Sequence, residues 1–120
     1  AQYGADLGER MSFEINRCLK THSVAIIVGS DCPFIQREDY LLAFDALSKG
    51  THVALGPSLD GGYYLIGLSR PLRELFKGID WGTNQVFQST LARIETNGYR
   101  WIRLPERADI DRPQDLTLYP

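Results

Sequence analysis

A chain of 120 residues with 43% hydrophobic and 23% charged content has room for one core and the makeup of an ordinary globular domain, which argues against disorder or fibre. Thirteen Lys and Arg against fifteen Asp and Glu leave a formal charge of −2 with no basic block, so nucleic acid is not an expected partner. No apolar run reaches the length of a membrane span, and residues 1–6 lack the basic start and apolar stretch of a secretory signal. The expectation is a cytoplasmic protein with no membrane partner. Cys18 and Cys32 have neither zinc-ligand spacing nor the density of a disulfide scaffold, and read as reduced thiols.

Residues 2–11 read as a glycine-punctuated loop running into a helix, on which Leu7, Met11, Ile15, Cys18 and Leu19 form one apolar stripe to about Lys20. No strand comes before it, although an α/β unit normally opens with one. Arg10 sits near the helix N-terminus, where free amides favour an anion; it either meets such a group or is a solvated arginine. His22, just past the helix end, needs no role beyond its favourable placement there.

Residues 24–28 are unbroken apolar and rich in β-branched side chains, the pattern of a strand covered on both faces. Gly29 follows, and Asp31 then stands at the strand's carboxyl end, where ligands bind in open α/β sheets. Two readings are open for Asp31, a ligand-facing acid or the cap of the next helix. That helix spans 37–49, with Tyr40, Leu41, Phe44 and Leu47 expected on its inner face and Gly50 as its stop. A strand at 53–56 completes a strand, helix, strand unit with the handedness of a right-handed parallel crossover. The strand at 64–68 follows too soon for a parallel connection, which leaves a hairpin or a mixed sheet. Between the two lie Asp60, Gly61 and Gly62, either a plain hairpin turn or a loop whose glycines let the backbone approach a ligand.

A helical turn at 71–76 precedes a loop over 78–83, in which Thr83 is expected to cap a helix over 84–96 with Val86, Thr90, Leu91 and Ile94 inside. Asn97 and Gly98 close that helix. The strand at 100–104, where Trp101 alternates with charged neighbours, reads as an edge strand. Asp109 and Asp111 then lie past its carboxyl end, with Pro113 in the first turn of a last helix. Asp111 is open to two readings, an N-cap or a metal ligand. Carboxylates gathered on one rim suit a hard cation such as Mg²⁺ or Mn²⁺, which needs few protein ligands when it bridges to a substrate phosphate.

Taken in order, Gly4 to Met11, Gly29-Ser30-Asp31-Cys32-Pro33, Leu55-Gly56-Pro57, Asp60-Gly61-Gly62-Tyr63-Tyr64-Leu65-Ile66-Gly67, Trp81-Gly82-Thr83 and residues 109–116 make the chain similar to a bacterial family of glycosyltransferase-A-type (GT-A) proteins. Members are sometimes described as radical-SAM-associated glycosyltransferases, and the likeness extends more distantly to guanylyltransferases. The resemblance implies an α/β fold, a truncated GT-A/Rossmann-like three-layer sandwich with a mixed, mostly parallel sheet, in one domain over 1–120. It implies metal-dependent transfer of a sugar from a nucleotide-diphosphate donor. Nucleotidyl transfer on the same fold and a non-catalytic oligomeric module are the alternatives. By the same resemblance Asp31 and Asp60 would be catalytic, and Asp31 with Asp111 or Asp109 would hold Mg²⁺ or Mn²⁺. Arg10, Gly61, Gly62, Tyr63, Trp81 and Thr83 would bind the nucleotide sugar or nucleotide. Family members begin with a strand and a glycine- and basic-rich loop that hold the base and phosphates, and this chain starts after that portion. The edge of strand 24–28 is therefore expected to be open and to support a homo-oligomer.

Overall fold

The structure is a computed structural model that describes residues 2–29, 35–81 and 83–107, with side chains described from Leu7 onward. Helix α1 (Gln2–Leu19) leads into strand β1 (Ala25–Val28), helix α2 (Arg37–Ser48), strands β2 (Val53–Pro57) and β3 (Tyr63–Leu68), a 3₁₀ turn (Arg73–Phe76), helix α3 (Val86–Thr96) and strand β4 (Trp101–Arg103). The sheet order is β1-β3-β2-β4. Strands β1, β2 and β4 run one way, and β3 is inserted antiparallel between β1 and β2. The 37–49 helix thus joins two strands of the same sense, as expected, but β3 separates them; β2 and β3 form the hairpin.

The two faces of this mixed sheet are covered separately, which gives the three-layer α/β architecture. Ile15 of α1, Leu72, Leu75 and Phe76 around the 3₁₀ turn, and Phe87 and Ile94 of α3 pack on Val53, Leu55, Ile66 and Leu68. On the other face Ala43 and Leu47 of α2 pack on Ala54, Tyr64, Leu65 and Leu104. Every residue of β2 is buried, as is β3 beyond its first residue.

Strand β1 departs from the expectation of a strand covered on both faces. It lies at an edge of the described sheet, with Ala25 buried and Ile26, Ile27 and Val28 half-buried. Strand β4 occupies the other edge, as the alternation around Trp101 implied.

Two helices differ from their sequence patterns for packing reasons. The segment 2–11 is helical from Gln2 and not a loop, despite its glycines. At Gly8 the helix presses against the 3₁₀ turn so closely that a Cβ would lie 2.6 Å from the Phe76 carbonyl oxygen and 3.1 Å from Trp81 Nε1. Close packing here outweighs glycine's poor helix propensity. In α2 the buried residues are Asp39, Ala43 and Leu47. Of the expected inner residues only Leu47 is inside; Tyr40, Leu41 and Phe44 are 40%, 55% and 55% exposed. The helix is rotated so that a carboxylate and a methyl group face the sheet, because Asp39 has a partner there.

Helix ends follow the sequence signals. Gly50 and Gly98 take φ of +110° and +72° just beyond α2 and α3, where a left-handed residue closes the last turn.

Candidate functional site at the carboxyl ends of the strands

Strands β1, β2 and β4 all end on one side of the sheet, the side where β3 begins. Gly29 donates its N–H to the Tyr64 carbonyl at 3.1 Å, so the chain leaving β1 toward Asp31 starts beside the beginning of β3. The Asp60 loop is the tip of the β2–β3 hairpin. On its other flank the chain leaving β4 is tied down as well: Arg107 donates to the Pro57 carbonyl at 3.0 Å and its own carbonyl accepts from Leu59 at 3.0 Å. The segments leading to Asp31, to Asp60 and to Asp109 and Asp111 therefore depart from one end of the sheet. Asp31, Asp109 and Asp111 themselves, and the helix expected at Pro113, lie outside the described residues.

The hairpin tip is shaped by its own side chains. Asp60 Oδ1 accepts from Ser58 Oγ at 2.7 Å and from the Gly62 N–H at 3.1 Å. Such a turn is what a short acid followed by glycines favours. Gly61 has φ +94°, and a Cβ there would run into the backbone of Asn84. Its carbonyl accepts the Phe87 N–H at 2.8 Å, satisfying one of the orphan amides of α3. Thr83 is not the N-cap expected of it, since α3 starts two residues later with Gln85 in that place. Its hydroxyl instead closes the preceding turn, donating to Asp80 O at 2.7 Å and accepting from the Gln85 N–H at 3.2 Å.

Behind the tip, the pairing shifts between Gly56 and Pro57. Gly56 faces Leu65 and Pro57 faces Tyr63, so Tyr64 is the extra residue of a bulge. Its ring lies over Gly56, where a Cβ would come within 2.6 Å of the ring, and its hydroxyl donates to Pro105 O at 2.9 Å. Burial, reinforced by the Asp39 carboxylate, pushes the Tyr64 hydroxyl up to about 12. Tyr63, by contrast, packs its ring with the core on the α1 and α3 side. Burial pushes its hydroxyl up to about 12 too, against a smaller opposing effect of Thr90.

A cleft of about 1330 Å³ opens between the middle of α1, from Leu7 to Asn16, and residues 76–81 together with Thr83. Of the residues expected to bind substrate, Arg10, Trp81 and Thr83 line it; Gly61, Gly62 and Tyr63 do not. The two groups meet through Asn84, which follows Thr83 and backs against Gly61. The cleft carries Arg10, Arg73 and Lys77 together with Glu9, Glu14 and Asp80, so its charge is balanced. Among the described residues no three His, Cys, Asp or Glu side chains converge to hold a metal ion. None of the described helices is long and apolar enough to cross a membrane.

One feature of the site had no signal as a pair. Arg107 donates through Nε and Nη2 to both oxygens of Asp39, at 3.1 and 2.9 Å, and Asp39 also accepts the Gln36 N–H at 2.9 Å to start α2. An acid in the first turn of a helix is a legible capping signal, but its guanidinium partner is remote in sequence.

The sheet order and the layers together match a nucleotide-diphospho-sugar transferase-like fold. The chain belongs to the DUF2064 family, described as uncharacterized protein conserved in bacteria, whose pattern matches residues 1–83. It is also similar to the crystal structure of a candidate nucleotide-diphospho-sugar transferase from Desulfovibrio desulfuricans G20, with 32% identity and a TM-score of 0.82. That match covers 93% of this chain and 49% of the other, so the chain spans about half the length of that protein. No curated protein matches the chain.

Proposed function

We propose that this chain contributes to the transfer of a sugar from a nucleotide-diphosphate donor, with the donor and acceptor meeting at the carboxyl ends of β1, β2 and β4. The observation that carries the proposal is the convergence of the segments leading to Asp31, Asp60 and the Asp109/Asp111 pair on one end of the sheet. The likeness to the candidate transferase supports the same reading.

In this proposal Asp31 with Asp109 or Asp111 holds Mg²⁺ or Mn²⁺, whose chemistry is to neutralise the charge of a diphosphate leaving group. Asp60 is rigidly held by Ser58 and Gly62 and presents a fixed negative charge at the rim. Gly61 and Gly62 keep the backbone there free of side chains. Arg10, Trp81 and Thr83 offer a cation, an aromatic face and a hydroxyl along the neighbouring cleft.

The test is calorimetric titration and thermal unfolding with Mn²⁺ and a panel of nucleoside diphosphates and nucleotide sugars, on the native chain and on Asp31→Asn and Asp60→Asn. Stabilisation that needs both metal and nucleotide and is lost in Asp31→Asn is the expected result; ligand at a hundred times its Kd would add about 2.7 kcal/mol. A folded chain that responds to none of them overturns the proposal. Product analysis with a responding donor separates transfer of the sugar from transfer of the nucleotide.

A further inference from the structure

At the end of the sheet opposite the acid-bearing segments, the pairing of β2 with β4 is started by a side chain. Val53 faces Trp101 as the first pair of the parallel register. One residue earlier on each strand, His52 and Arg100 exchange two bonds. The His52 N–H donates to the Arg100 carbonyl at 2.9 Å, and the Arg100 N–H donates to His52 Nδ1 at 3.0 Å. The Thr51 carbonyl, the next backbone acceptor along the chain, takes the Ser69 hydroxyl at 2.9 Å, so the imidazole stands where a ladder carbonyl would. An Nδ1 that accepts a backbone N–H carries no proton, which puts the hydrogen of the ring on Nε2. The surroundings favour this neutral form. The Arg100 guanidinium is anchored on the Gly50 carbonyl at 2.6 Å, Arg70 follows the end of β3, and the Tyr99 ring meets the imidazole edge-on at 5.6 Å between centroids. Glu74 of the 3₁₀ turn is engaged by the Tyr99 hydroxyl. Partial burial, then Arg100 and Arg70, hold the imidazole below its usual range.

We propose that His52 is an acid-sensitive latch on β4: the neutral ring holds the N–H that leads into the strand, and the protonated ring releases it. A proton on Nδ1 turns the acceptor into a donor facing another donor, and it sets a further cation beside Arg100 and Arg70. Strand β4 is three residues long and lies at a sheet edge, so its start depends on few other bonds. The opening is confined to that start. Further along, Leu104 donates to the Leu55 carbonyl at 2.9 Å and Arg107 to the Pro57 carbonyl at 3.0 Å, and neither bond involves a titrating group. The direction in pH follows from the weakened hold of the folded ring on a proton. Between the ordinary value of about 6.5 and the lower folded value, the opened chain binds the proton better. The latch is therefore complete above about pH 6.5 and is lost as pH falls through the folded value.

Nuclear magnetic resonance of the nitrogen-15-labelled chain from about pH 7.5 to about pH 4.5 tests the proposal, on the native protein, His52→Asn and His52→Leu. With two histidines in the chain, His52→Asn assigns the ring signals by loss of one set. At neutral pH the expected state is a His52 ring protonated on Nε2, with a scalar coupling across the bond from the Arg100 N–H to Nδ1. As the ring takes up its proton that coupling vanishes, and protection of the Arg100 amide against hydrogen exchange falls by about tenfold or more while Leu104 stays protected. In His52→Asn, whose side-chain oxygen accepts without titrating, Arg100 protection is expected to hold across the range; in His52→Leu it is expected to be lost at both ends. A proton on Nδ1 at neutral pH overturns the proposal, as does a ring that stays neutral throughout. So does an Arg100 amide whose protection is indifferent to the titration of His52, or falls with acid equally in His52→Asn. The native chain alone decides all but the last of these, whether or not the variants fold.

Discussion

Arg107 and Asp39, 68 residues apart in sequence, form a two-pronged ion pair in which the carboxylate has no exposure to solvent. The same arginine is bound through its backbone to Pro57 and Leu59 at the base of the Asp60 loop. One residue thus joins the start of α2, through its side chain, to the end of β2, through its backbone, at the point from which the chain continues toward Asp109. Hydrogen bonding to Asp39 holds the guanidinium above its usual range, so it stays charged at every accessible pH.

Removal of either partner is expected to be unequal. Arg107→Met leaves a fully buried carboxylate without its cation and is expected to cost about 3–5 kcal/mol. Asp39→Asn leaves a guanidinium that is one-fifth exposed and still reached by water, and is expected to cost less. Denaturant midpoints of the two variants check the order; equal losses would mean that the pair acts only as a shape.

Gly61→Ala is expected to destabilise by about 2 kcal/mol or more, since a positive φ and a collision with Asn84 act together. Gly62→Ala meets nothing closer than 3.5 Å and is expected to stay within about 1 kcal/mol of the native chain. Chemical unfolding of both variants makes the comparison.

Gly56→Ala forces a methyl group into the Tyr64 ring. The double variant Gly56→Ala/Tyr64→Leu is expected to recover part of that loss, with a coupling of about 1 kcal/mol or more in a double-mutant cycle. Additive losses would show that the bulge does not depend on this contact.

Alkaline pH is expected to weaken the fold. The hydroxyls of Tyr63 and Tyr64 are raised to about 12 from an unfolded value near 10. Their stabilising contribution is therefore complete below pH 10 and is lost as pH rises from 10 through 12. Tyr63 is expected to account for about 2–3 kcal/mol of this loss, and Tyr64, whose hydroxyl is closer to solvent, for less. Unfolding midpoints at pH 9 and pH 11.5 check this, and Tyr63→Phe should remove one share of the slope.

Asp60→Asn is expected to keep the loop, because an amide oxygen can still accept from Ser58 and Gly62. Stability should stay within about 0.5 kcal/mol. A loss of ligand response at unchanged stability would then report on the missing charge alone.

The sequence by itself determined which segments became strands and where two of the helices stop. The apolar runs at β1, β2 and β3, the alternation at β4, and Gly50 and Gly98 are local properties, readable because backbone conformation and side-chain period act over a few residues. It also determined that the segments leading to Asp31, Asp60 and Asp109 leave the ends of strands. Tertiary structure alone decided the rest. Nothing local says that β3 inserts between β1 and β2, that α2 turns Asp39 inward and Tyr40, Leu41 and Phe44 outward, or that α1 forms straight through Gly4 and Gly8. For α2 and α1 the deciding contact comes from a distant part of the chain, Arg107 for Asp39 and the Phe76 carbonyl for Gly8, and the Gly61 turn is likewise fixed by Asn84. Burial and ion pairing across the fold outweigh local propensities of less than about 1 kcal/mol per residue, and a sequence pattern registers only the propensities.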